Sequence, residues 1–162
     1  MAQLVYFSIS GPTWSNGQVV AQTIGNTEQL AHLIEHRLHV AAQPIMPLAA
    51  YPNDYAQLKQ RAEAENHTPP QFNQAPKVQS TVIYLGFPIW FNDVPPAVRQ
   101  WVATIDSEVE IRPFVTHEGS GLGRAMQTLQ AYQLHIAPGL AVRGSRVTDA
   151  GVAIDHWLLG FE

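Results

Sequence analysis

The 162-residue chain is 46% apolar and 14% charged, a balance that fits a folded globular protein and argues against wholesale disorder. Nine Lys plus Arg against thirteen Asp plus Glu give a net charge of −4, which disfavours non-specific nucleic-acid binding. With no cysteine, disulfide scaffolds, thiolate metal sites and cysteine nucleophiles are excluded.

The length fits one domain, residues 1–162, able to bury about two-thirds of its unfolded surface without a disulfide or metal staple. Met1-Ala2-Gln3 has no basic segment, and Leu4 to Phe7 is too short for a secretory apolar core. No run approaches about 20 apolar residues. A cytoplasmic chain without a membrane span is expected.

Leu4-Val5-Tyr6-Phe7 predicts a first strand buried on both faces of a parallel sheet. Ser10 to Ile24 then breaks the rhythm, because strand–helix connections usually run about 2–6 residues. Its Asn16-Gly17, flanked by Thr13-Trp14 and Val19-Val20, predicts an inserted hairpin over residues 10–24. Thr27 to Leu38 has helical spacing, with Leu30, Ala31, Ile34 and Leu38 on one face. Val40 to Met46 predicts a second strand ended by Pro47, and Pro52 to Asp54 caps a helix across Tyr55 to Glu65.

Asn66 to Lys77, with three prolines, reads as a surface loop, and Val82 to Leu85 as the clearest strand. Pro95-Pro96 opens a helix through Ile105. Ile111 to Thr116 is a fourth strand, whose Pro113 argues for an irregular or edge position. Gly123 to Leu134 predicts helix, Ala137 to Val142 a fifth strand, and Asp149 to Leu159 a closing helix. Alternating strands and helices imply a parallel α/β sheet covered on both faces.

Ligands of open α/β sheets bind outside the carboxyl ends of the strands, and three loops leave that edge. The first carries Ser8, Ser10 and Gly25-Asn26-Thr27-Glu28, where hydroxyls and helix-start amides suit a phosphate monoester or form an ordinary helix cap. The second, Gly86 to Asp93, holds Pro88, Ile89, Trp90 and Phe91, which either wall an aromatic ring or pack on the next helix. The third, Thr116 to Gly123, has three glycines in five residues, letting backbone amides approach a ligand. Ser120 lacks the flanking glycines of a hydrolase elbow, since Glu118 and Leu122 stand there.

In this order and spacing, Tyr6-Phe7-Ser8, Asn16-Gly17, Gly25-Asn26-Thr27-Glu28, Leu85 to Trp90, Pro113 to Gly121, Gly139-Leu140 and Gly144 resemble the flavodoxin-like family. The likeness is to a short-chain bacterial branch with an insertion before Gly-Asn-Thr-Glu. It implies a three-layer sandwich with a five-stranded parallel sheet ordered 2-1-3-4-5 and flavin mononucleotide (FMN) at its carboxyl edge. By that resemblance Ser8, Ser10, Asn26 and Thr27 hold the phosphate, and Pro88, Ile89, Trp90 and Phe91 face the isoalloxazine ring. Thr116, His117, Glu118, Gly119, Ser120 and Gly121 form the opposite loop. The ring-flanking aromatic usual in that loop is absent, which leaves one flavin face more open.

An FMN-binding electron-transfer protein is the expected function, with no catalytic side chain and a reductase or acceptor protein as partner. The alternative is an FMN-dependent NAD(P)H oxidoreductase reducing quinones or similar small acceptors, with His117 the best polar candidate near the ring. A flavin-free interaction domain is a third reading. His32, His36 and His39 have a spacing compatible with a metal, but no carboxylate second shell can be named and no metal is assigned. Trp101 and Trp157 are expected to pack, Trp14 either covers the cofactor or buries itself against Tyr51, and a homodimer is left open.

Overall fold

A computed structural model describes residues 1–162. The strands are β1 (Ala2–Tyr6), β2 (Gly11–Ser15), β3 (Gln18–Gln22), β4 (Ala42–Pro44), β5 (Met46–Pro47), β6 (Phe72–Gln74), β7 (Val82–Pro88), β8 (Glu110–His117), β9 (His135–Ile136) and β10 (Leu140–Arg143). The helices are α1 (Asn26–Leu38), α2 (Tyr55–Ala64), α3 (Pro96–Val102), α4 (Ala125–Gln130) and α5 (Gly151–Leu159), the last preceded by a 3₁₀ turn over Gly144–Asp149. No helix is long and apolar enough to cross a membrane.

The main sheet runs β4-β1-β7-β8-β10, all parallel, which is the order 2-1-3-4-5 among the long-range strands. Side-chain alternation divides its core. Leu4 and Tyr6 of β1 face a cluster with Leu30 and Ile34 of α1 and Ile154 and Trp157 of α5. Val5 and Phe7 face the other way, toward Val98 and Trp101 of α3 and Leu129 of α4. Trp101 and Trp157 both pack as expected, their indoles donating to the carbonyls of Pro76 (2.8 Å) and Pro138 (2.9 Å).

The sheet has six strands rather than five, because the last core strand is split: β9 pairs with the start of β8 and β10 with its end. Pro113 lies inside β8, paired with Leu85 of β7, so it is not at a sheet edge; its other side meets the irregular stretch between β9 and β10, the other of its two expected positions. The Ile111 carbonyl accepts from Ala137 N–H at 2.8 Å, and peptide groups two residues apart point the same way. The N–H that Pro113 lacks therefore faces the break at Ala137-Pro138-Gly139, where no ladder partner is lost.

Two other expectations shift. The second strand ends at Pro44 with Ile45 still donating to Tyr6, after which Met46–Pro47 turns to pair antiparallel with Phe72–Gln74, inside the expected loop. The fourth helix is shorter than its periodicity suggested, bracketed by Gly123 (φ 53°) and Gln133 (φ 61°) in the left-handed region. Between β1 and α1, Gly11–Ser15 and Gln18–Gln22 pair antiparallel around Asn16 (φ 50°) and Gly17 (φ 84°), the positive pair that a type I′ turn requires.

Candidate functional site

The carboxyl ends of β1, β7 and β8 open into a cleft of about 200 Å³. Of the expected residues, Ser8, Asn26, Thr27, Pro88, Ile89, Trp90, Thr116, His117 and Glu118 line it. Ser10, Phe91, Gly119, Ser120 and Gly121 do not; Ser10 is exposed, and Phe91 turns outward at φ 50°. Sequence reasoning missed Ile9, Pro12, Thr13, Tyr55 and Leu58, and left Trp14 undecided. The available clue was the pair of aromatics Trp14 and Tyr55 beside segments already assigned to this edge.

One end of the cleft is the start of α1. Its N-cap is Gly25, with no side chain to cap the helix, so the first-turn amides of Asn26 and Thr27 lack helical acceptors. Ser8 closes the next position, its Oγ accepting from Glu28 N–H at 3.1 Å. Gly25 is required by proximity: a Cβ there would overlap the Ile9 carbonyl and the Ser8 hydroxyl. Thr27 is buried and shares a hydroxyl hydrogen bond of 2.7 Å with Thr116, tying α1 to the end of β8. No Lys or Arg lines the cleft, so any anion held here depends on amides, hydroxyls and the helix dipole.

Asn26 accepts from Gln22 Nε2 at 3.0 Å, which joins the hairpin to α1. Gln22 Oε1 and Glu118 Oε2 are both buried without a hydrogen-bond partner. Gly144 lets Glu118 and Asn26 approach each other over its Cα, since a Cβ would overlap both side chains. This end therefore offers free backbone donors beside the polar side chains of Asn26 and Glu118.

The other end is apolar. Trp90 stands edge-on to Phe7 (5.3 Å between centroids) and to Tyr51 (5.6 Å), in a turn where Trp90 and Asp93 exchange backbone hydrogen bonds of 3.0 Å. Tyr51 thus braces Trp90 rather than meeting Trp14. The Tyr51 hydroxyl donates to both oxygens of Glu65 (2.8 and 3.1 Å), and the Arg61 guanidinium lies 3.9 Å over its ring. Burial pushes the Glu65 carboxyl up, against the opposing pull of Tyr51 and Arg61. Burial and the adjacent Glu65 push the Tyr51 phenol up.

His117 Nδ1 accepts from Gly119 N–H at 3.0 Å, so the neutral ring carries its proton on Nε2. Burial, then the Arg143 charge, hold this imidazole below its ordinary value. Burial raises the Glu118 carboxyl, opposed by Arg143 and the Asn16 amide. His32, His36 and His39 belong to no cluster able to hold a metal; His32 pairs with Glu35 at 2.9 Å, and His39 lies beyond the helix at φ 55°.

The flavodoxin family model matches residues 2–157. The chain belongs to the flavodoxin family. Its fold is also that of three solved structures at low identity. A flavoprotein from Bacteroides uniformis aligns with a TM-score of 0.72 at 20% identity, covering 97% of this chain and 96% of that one. One from Bacteroides eggerthii gives 0.68 at 19%, covering 95% and 97%. A flavoprotein in complex with FMN from Lactobacillus acidophilus gives 0.62 at 14%, covering 93% and 97%. No curated protein matches the sequence. In this chain the uncapped α1 start and the Trp90 wall lie in one cleft.

Proposed function

We propose that this flavodoxin-family chain binds FMN in the cleft and serves as an electron-transfer protein with a reductase or acceptor protein as its partner. The observation that carries this reading is the donor set. Uncapped α1 amides in a cleft that no Lys or Arg lines suit a phosphate monoester. The polar side chains of Thr13, Asn26 and Glu118 on the cleft wall suit a hydroxylated chain. Pro88, Ile89 and Trp90 suit an aromatic ring. FMN joins these three chemistries in one molecule.

Bound FMN would supply the redox chemistry. Asn26, Thr27 and Ser8 would fix its phosphate, while Thr116 supports that seat through its bond to Thr27. Trp90, held by Phe7 and Tyr51, would exclude water from one ring face. The Gly119 amide is held by His117 Nδ1, so the Ser120 and Gly121 amides, in a loop with φ of 62° at Gly121, are the ones that would turn toward the polar ring edge.

A second reading, an FMN-dependent NAD(P)H oxidoreductase acting on quinones or similar small acceptors, is favoured by His117. Its Nε2–H is the free donor of a half-buried ring at the cleft wall, in a loop with no aromatic to cover the flavin. Such a donor can polarise an acceptor carbonyl.

The test is to incubate the purified protein with FMN, desalt it, and record its visible spectrum. Retained bands near about 375 and 450 nm, with stoichiometric FMN released on denaturation, are expected. Stopped-flow mixing with NADPH then separates the readings. Slow reduction without a separate reductase favours the carrier, and rapid direct reduction favours the enzyme. A colourless protein whose melting temperature does not respond to FMN would overturn both.

A further inference from the structure

The β2–β3 hairpin reaches across the cleft. Its base is tied to α1 by the Gln22–Asn26 hydrogen bond of 3.0 Å. Its tip carries Asn16, whose amide opposes the rise that burial gives the Glu118 carboxyl. Between those points Pro12, Thr13 and Trp14 line the cleft. Trp14 is 45% exposed and lies 6.2 Å from Tyr55, ring to ring, with 33° between their planes. Tyr55, the first residue of α2, lines the same cleft.

The cleft therefore has two kinds of aromatic wall. Trp90 is braced on its edges by Phe7 and Tyr51 and is half-buried. Trp14 is backed by Tyr55 alone and keeps nearly half its surface in water. The loop from His117 to Gly121, opposite Trp90, has no Phe, Tyr or Trp. A large indole left wet at the rim of a cleft gains most from a planar ligand that covers it.

We propose that the hairpin is part of the cofactor site and that Trp14, backed by Tyr55, covers the isoalloxazine face that the His117–Gly121 loop leaves open. This rests on the FMN reading and deepens it. The segment inserted between β1 and α1 supplies the second ring wall, held at the phosphate end by the Gln22–Asn26 hydrogen bond. Through that tie Trp14 also couples ring binding to phosphate binding. Its loss costs FMN affinity and changes flavin emission together.

The experiment titrates FMN into the wild type, Trp14→Ala, Trp14→Phe and Trp90→Ala, following flavin fluorescence, with thermal unfolding of each apo-protein as a check on folding. Trp14→Ala is expected to weaken FMN binding about tenfold and to raise the emission of bound flavin, since a stacked indole quenches it. Trp14→Phe should stay within about twofold of the wild type. If Trp14→Ala destabilises the apo-protein, Tyr55→Leu decides, with the same direction expected at smaller size. Wild-type affinity and emission in Trp14→Ala, with weakened binding in Trp90→Ala, would overturn the inference while leaving the FMN reading intact. A wild type that takes up no FMN would overturn both.

Discussion

Thr27 and Thr116, 89 residues apart, share a buried hydroxyl hydrogen bond of 2.7 Å that locks the first turn of α1 to the carboxyl end of β8. It ties the expected phosphate seat to the end of the strand that leads into the His117–Gly121 loop. Replacing either threonine with valine leaves a buried hydroxyl unpaired and should cost about 1–3 kcal/mol. The double variant should cost clearly less than the sum, because no orphan remains. Urea denaturation of the four proteins measures this coupling. Full additivity would mean that the two hydroxyls do not depend on each other.

Two glycines separate stability from binding. A Cβ at Gly86 would overlap the Phe114 ring in the core, and one at Gly25 would overlap Ile9 and Ser8 at the site. Each alanine substitution should destabilise by about 1–3 kcal/mol through overpacking. Only Gly25→Ala should also weaken FMN binding, since only it moves the Ser8 loop away from the α1 amides. Thermal unfolding and FMN titration of both variants check this. An equal loss of affinity in Gly86→Ala would mean that the two effects are not separable.

The strands β1, β7 and β8 were legible because they are buried runs whose alternate residues feed two clusters, as Leu4 and Val5 do, while their order came only with the family resemblance. The break between β9 and β10 was not legible, because it depends on Ala137-Pro138-Gly139 lying beside Pro113 of the neighbouring strand, a pairing fixed only by the sheet register. That Ser8, Thr27 and Trp90 line the cleft was legible from their place after strands and at a helix start. Tyr55 and Leu58 were not, because they reach the cleft from α2 by tertiary packing. The retreat of Phe91 depends on a left-handed residue that its side chain gives no reason to expect.

Charge at the phosphate end should give opposite pH signatures. The Glu118 carboxyl is raised in the folded protein, so its favourable contribution is present below the ordinary carboxylate value of 4.5 and is lost as pH rises through the folded value. Glu118→Gln should therefore stabilise at neutral pH, by less than about 1 kcal/mol, and not at pH 4. It should also tighten FMN about threefold at pH 7, while riboflavin, which lacks the phosphate, is unaffected. His117 is lowered, so its neutral form is favoured, and stability falls as pH drops from the ordinary 6.5 through the folded value. His117→Gln should flatten that slope. Denaturation midpoints between pH 4 and 8 distinguish the two, and parallel profiles would contradict both assignments.

Tyr51 and Glu65 make a final separation between bracing and binding. Glu65 is 5% exposed, and its better-placed donor is the Tyr51 hydroxyl at 2.8 Å, Arg61 Nε being 3.4 Å away. Tyr51→Phe removes that donor from a buried carboxylate and should cost about 2–3 kcal/mol at pH 8. The donor favours the charged form, so its loss raises the Glu65 carboxyl further. The cost should therefore shrink as pH falls and the carboxyl protonates in both proteins. The phenyl ring that remains in this variant keeps its edge against Trp90, so FMN affinity should change less than about threefold. Glu65→Gln keeps an acceptor for Tyr51 without the buried charge and should cost less than Tyr51→Phe at pH 8. If Tyr51→Phe instead abolishes FMN binding at undiminished stability, the hydroxyl acts on the ligand and the bracing role assigned to it is wrong.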